Sequence, residues 1–176
     1  MKSQLVNCFE SRLPLIGLES VDDEHTDQML AEALADFKGD VWSFDAARGG
    51  VDEATQQPLG EENPFSENSS RSVSERLATF LDRVITDCRP VSAVLILRDV
   101  GTLLAEPEIA ARLKVIARMT ESAAEKGEDY RVQVVVRERE VALTADLASL
   151  GTVMTVPVLD ETSLAELVRA FAAHHE

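Results

Sequence analysis

The chain has 176 residues, the size of one domain able to bury its own core, and its 45% hydrophobic and 28% charged residues exclude wholesale disorder and fibrous repeats. With 32 acidic against 17 basic residues the formal net charge is −15, which repels phosphate backbones and anionic lipid. Arg and Lys stand singly along the chain, so no basic patch relieves this, and direct nucleic-acid or membrane-surface binding is excluded as a leading function.

The acidity reads first as a solvated surface and second as a docking face for a basic partner. Cys8 and Cys88 are far apart and share no metal-ligand spacing, so a disulfide framework is not expected and a reducing compartment fits. Residues 1–11 carry one Lys, one Glu and no apolar run, which is not a secretory signal, and no apolar stretch reaches the length of a membrane span. A cytoplasmic location is the expectation.

Residues 14–19 form a short apolar run that predicts a strand, and residues 26–37 follow with Met29, Leu30, Ala33, Leu34 and Phe37 at helical spacing. Gly39 stops that helix, Val41, Trp42 and Phe44 predict a second strand, and Arg48, Gly49 and Gly50 break it. Residues 52–71 shift to Gln, Glu, Asn, Ser, Pro and Gly without periodicity and read as a mobile insertion. A helix is predicted over 72–87, where Leu77, Phe80, Leu81, Val84 and Ile85 share a face and Ser72 or Ser74 can cap the first turn.

Residues 93–97, Ala-Val-Leu-Ile-Leu, are a continuous apolar run suited to a strand covered on both faces. Pro107 opens another helix that ends near Ala124, and Val132 to Val136 is again a buried type of strand. A short helix over 141–150, a fifth strand over 152–158 and an amphipathic helix over 162–173 complete the chain. Five strands alternating with helices imply βαβ units and one mainly parallel sheet sandwiched by helices, in a single α/β domain spanning 1–176. Ligands of such sheets bind beyond the carboxyl ends of the strands, here Glu19 to Asp23, Asp45 to Gly50, Arg98 to Thr102 and Arg137 to Glu140.

A phosphate cradle after the first strand would be Gly-rich and end in Gly-Lys-Ser or Gly-Lys-Thr. The sequence there is Ser20-Val21-Asp22-Asp23-Glu24-His25-Thr26, with three carboxylates and no glycine to let backbone amides converge. Asp99, closing the central strand, stands where a P-loop ATPase places its magnesium-binding carboxylate, but Val100 follows where a water-activating Glu is expected. Asp99 is therefore a remnant of a Walker B carboxylate or simply a turn-former.

Asp22, Asp23 and Asp99 also admit a receiver-like phosphoacceptor or small-ligand switch, although Asp160 and Glu161 follow the fifth strand where that chemistry needs a Lys. His25, His174 and His175 lack ligand spacing, no nucleophile elbow occurs, and Trp42 beside Phe44 reads as core packing. No catalytic residue, metal or cofactor is assigned. Arg48, Gly49 and Gly50 are expected to make a sharp exit into the insertion, phosphate contact being the lesser reading.

The segment Phe9-Glu10-Ser11-Arg12-Leu13-Pro14-Leu15-Ile16-Gly17-Leu18-Glu19-Ser20, the acidic loop and helix after it, and Val41-Trp42-Ser43-Phe44-Asp45-Ala46-Ala47-Arg48-Gly49 together resemble the amino-terminal half of a family of AAA+ ATPases. In that family a degenerate ATPase-like first domain precedes a complete, active one. Leu95-Ile96-Leu97-Arg98-Asp99-Val100 resembles its modified Walker B strand. The resemblance runs from about Phe9 to about Phe171, matches 52–71 loosely, and implies the strand order of additional-strand ATPases in a P-loop NTPase-like, AAA+ core-like fold without a functional Walker A.

The function expected from this is a non-enzymatic scaffold or assembly module that binds another protein, an AAA+ ATPase or a second copy of itself. A structural subunit of a larger particle is a further reading, in which Leu164, Leu167, Val168 and Phe171 on the terminal helix engage another chain. Helices with that pattern more often pack on their own sheet.

Overall fold

In the computed structural model, which describes residues 1–59, 71–87, 92–157, 168–169 and 172–173, the two longest apolar runs lie at the middle of the sheet. The run Ala93–Arg98 (β4) is buried along its whole length, and Val132–Glu138 (β5) along all but its last residue. Leu15–Glu19 (β1) pairs in parallel with β5 on one side and with Gly151–Thr155 (β6) on the other. Asp40–Asp45 (β2) pairs in parallel with β4, and Gly49–Asp52 (β3) turns back antiparallel to β2. The order is therefore β3-β2-β4-β5-β1-β6, with β5 inserted between β1 and β4 as the additional-strand arrangement requires.

The sheet has six strands where five were expected. The second strand does end before Arg48, at Asp45, but Gly49 and Gly50 open a third strand of a hairpin in place of an exit into an insertion. Gly49 has φ +72, in the left-handed region that favours glycine, and a Cβ on Gly50 would stand 2.6 Å from the Phe80 ring. Residues 52–59, expected to open an insertion, fold back onto the hairpin. Asp52 closes a turn in which its backbone N–H donates to the Gln57 carbonyl (3.0 Å) and Gln56 N–H donates to the Asp52 carbonyl (2.8 Å). Leu59 N–H then donates to the Gly50 carbonyl, and residues 60–70 lie outside the described residues.

The helix expected over 26–37 runs instead over Asp23–Ala33 (α2), capped by Asp22 and ended short of Gly39, whereas Val73–Asp87 (α3) and Pro107–Glu125 (α4) stand where periodicity placed them. Ser72 is the cap of α3: its hydroxyl accepts from Glu75 N–H while the Glu75 carboxylate accepts from Ser72 N–H, a reciprocal capping box. A helix over Lys2–Glu10 (α1) was not anticipated; it is anchored by Leu5 and Phe9, one turn apart and both buried. The helix expected over 141–150 contracts to Ala145–Ala148 (α5), and the last strand ends at Thr155, before Pro157.

α3, α4 and α5 cover one face of the sheet through a large apolar cluster that includes Leu77, Leu81, Leu95, Leu97, Ile116 and Val134. α1 and α2 cover the other through a smaller one built on Leu5, Phe9, Ile16, Leu30, Val94 and Val135. A receiver-like arrangement would order its strands 2-1-3-4-5; here β1 lies between β5 and β6, so the switch reading loses its scaffold. No helix among the described residues is long and apolar enough to cross a membrane. On the terminal segment Val168 is helical and exposed, whereas Leu164, Leu167 and Phe171 lie outside the described residues.

Candidate functional site at the carboxyl edge of the sheet

The turn from β1 into α2 closes on itself through short polar side chains. Thr26, fully buried, places Oγ1 2.6 Å from Ser20 Oγ and 2.7 Å from the Asp22 carbonyl, and Ser20 Oγ accepts from Asp22 N–H at 3.1 Å. Asp22 is the N-cap, its carboxylate accepting from His25 N–H at 3.0 Å, while Thr26 N–H donates to the Asp22 carbonyl. The His25 amide, one donor that would face an incoming anion at this helix terminus, is thereby engaged, and Asp23 and Glu24 add charge in the same first turn.

Other carboxylates of this edge also hold backbone. Glu138 accepts from Gly101 N–H at 2.7 Å, Glu19 from Val141 N–H at 3.2 Å, and Asp45 from both Ala47 and Arg48 N–H. Asp45 is held below the ordinary carboxylate range: burial opposes ionisation, but the Arg48 and Ala47 hydrogen bonds and the Arg48 charge outweigh it.

Arg98, the last residue of β4, and Arg137, the last but one of β5, stand at paired positions and are both buried. Asp27 on α2 bridges them, with Oδ1 3.3 Å from Arg98 Nε and Oδ2 2.8 Å from Arg137 Nη1. Glu53 completes the pairing of Arg98 at 2.9 Å. Burial by itself would lower the Arg98 value, yet Glu53 and Asp27 raise it, so the guanidinium stays charged. Burial likewise opposes ionisation of Glu53, but the hydrogen bond and charge of Arg98 prevail and hold that carboxyl below its usual value.

Asp99 is exposed at the end of β4 with φ +54, a conformation that Asp tolerates better than most side chains, and its Oδ2 lies 3.8 Å from Arg137 Nη2. Asp23 Oδ2 lies 3.9 Å from the same nitrogen. The three candidate carboxylates thus part company: Asp23 and Asp99 share an arginine, whereas Asp22 caps its own helix. No group of His, Cys, Asp and Glu among the described residues converges as metal ligands. Cys8 is a free thiol, half-buried, its pKa raised by that burial.

Beside this network α2 and the β2–β3 hairpin leave an open cleft of about 700 Å³. Leu30, Leu34, Val41 and Ile96 supply its apolar lining, and Arg98, Asp27, Glu53 and Asp99 its charged end. The strand ends singled out from the sequence all meet at this edge. Asp27 and Glu53 were missed. Asp27 had a signal, since it precedes Leu30 by three residues and Leu34 by seven on the predicted helix and so shares their face; Glu53 had none, lying in a segment without periodicity.

The family described as SpoVK-like AAA ATPase, N-terminal domain, matches residues 1–156. Among curated proteins none matches the sequence. Two solved structures align over nearly the whole chain. A chain of the Escherichia coli MS115-1 HORMA:CdnC:Trip13 complex does so at 12% identity with a TM-score of 0.44, covering 96% of this chain and 63% of that one. The ADP form of the Aeropyrum pernix ORC2 protein does so at 13% identity with a TM-score of 0.45, covering 98% of this chain and 50% of that one.

Proposed function

Because this chain belongs to the family of SpoVK-like AAA ATPase N-terminal domains, we propose that it is a non-catalytic protein-binding and assembly module. Its partner on this reading is another protein, an AAA+ ATPase or a second copy of the chain. The observation that carries the proposal is the turn between β1 and α2, in which Asp22 occupies the His25 amide and Ser20 and Thr26 occupy each other. A triphosphate arriving there would meet carboxylates in place of converging N–H groups. Asp99 then serves as a charged neighbour of Arg137 with no metal to hold, and Val100, buried behind it, supplies no base.

Isothermal titration with ATP and Mg²⁺ tests this directly. No saturable heat and no phosphate release are expected. A micromolar Kd, or turnover above the buffer rate, would overturn the proposal.

A further inference from the structure

We propose that the cleft between α2 and the β2–β3 hairpin is a docking groove for a basic amphipathic segment of a partner protein, its apolar residues seated on Leu34, Val41 and Ile96 and its Lys or Arg side chains meeting the acidic rim. This rests on the reading of the chain as a protein-binding module and names the chemistry of what it binds.

The groove exists because of where the chain crosses the sheet. From β1 the polypeptide passes two intervening strands, β5 and β4, before entering β2 at the far side. α2 ends at Ala33, too soon to roof that span, and β2 sends Trp42 and Phe44 into the cluster on the opposite face. Val41 and Leu34 are left half-buried beside the buried Ile96, an apolar floor with no helix over it among the described residues. The cleft volume of about 700 Å³ is ample for several side chains.

Charge decides the occupant. Six carboxylates line the cleft, Asp27, Asp40, Asp45, Asp52, Glu53 and Asp99, against three guanidiniums, which leaves three negative charges unbalanced. The arginines are already flanked: Arg98 by Glu53 and Asp27, Arg137 by Asp27, Arg48 by Asp45. An anion would reach them only past carboxylates, whereas a cation meets the surplus at the mouth, where Asp40 is exposed. The apolar floor selects a peptide over a bare cation. The chain's net charge of −15 favours encounter with the same class of partner.

The test uses the full chain, ¹⁵N-labelled, titrated with a synthetic amphipathic Leu/Lys peptide, its Leu/Glu counterpart and inorganic pyrophosphate. The Leu/Lys peptide should shift the amides of Leu30, Leu34, Val41 and Ala54, and the other two should leave them in place. Ala31→Lys combined with Asp40→Lys alters two exposed positions at the cleft and should weaken Leu/Lys binding about tenfold, as should 0.5 M salt. Retained affinity in that variant, shifts confined elsewhere, an equal response to Leu/Glu, or movement with pyrophosphate would each overturn the groove. So would concentration-dependent shifts of the same amides without peptide, which would make a second copy the occupant. ATP in the same spectrometer keeps the two claims apart: shifts at Ser20 to Thr26 sink the non-catalytic reading, while a silent Leu/Lys peptide with equally silent ATP removes the groove alone.

Discussion

On the face covered by α3 and α4, Leu77, Leu81, Leu95, Leu97 and Ile116 are all fully buried, and the apolar cluster continues from β2 across β4 to β5. On the opposite face the apolar cluster thins toward β2, and Arg98, Arg137, Asp27 and Glu53 take over. Both faces draw on the same strand. In β4, Leu95 and Leu97 point one way while Val94, Ile96 and Arg98 point the other, so a single residue at the end of an apolar run decides how that face is finished. A fully roofed face gains from close packing, whereas a partly roofed one must neutralise whatever polar groups it encloses, and here two arginines require carboxylates from two other elements.

This contrast makes graded predictions. Leu81→Ala, on the roofed face, removes a side chain that is fully buried and should cost about 4 kcal/mol in urea denaturation while leaving peptide-induced shifts at the cleft unchanged. Asp27→Leu, on the open face, deprives both arginines of a shared partner but leaves Glu53 and Asp99 nearby, with Asp27 itself 39% exposed. A loss of about 2 kcal/mol is expected. A loss above that of Leu81→Ala would mean that the ion network, and not the apolar core, dominates stability.

Glu53→Gln should cost about 1 kcal/mol at neutral pH, and its pH dependence carries more information than its size. Because the folded carboxyl titrates below its ordinary 4.5, the ionised form stabilises the fold at all pH values above that point. That contribution fades as pH falls through the depressed value, so the wild-type advantage over Glu53→Gln should shrink in acid. A difference constant from pH 7 to pH 3 in the urea midpoints would contradict the ion-pair account. Arg112→Ala, which breaks an exposed pair with Asp82 between α4 and α3, should change stability by less than about 0.5 kcal/mol and provides the baseline for the other three.

Local chemistry carried most of the element assignments. The runs 93–97 and 132–136 announced buried strands, Ser72 or Ser74 announced the start of α3, and Pro107 that of α4, because each signal depends on neighbours within a few residues. The weak elements escaped for the same reason. α1 rests on two anchoring side chains, and β3 begins with a Gly pair that locally favours a break and becomes a strand only because β2 offers it a ladder and Phe80 leaves room for nothing larger.

The candidate site divides along the same line. That residues 20–26 are rich in acid and empty of glycine is a matter of composition, although the helix begins at Asp23 and not at residue 26, and the strand-end segments were singled out by a rule about parallel sheets. What no reading of neighbours could supply was which charge meets which. Asp27 lies 71 positions from Arg98 and Glu53 lies 45 from it, and the cleft exists only because the chain passes two strands before entering β2. Secondary structure follows from interactions a few residues apart, whereas burial, pairing of charge and the shape of an uncovered face depend on distances that come into being only when the strands take their places in the sheet.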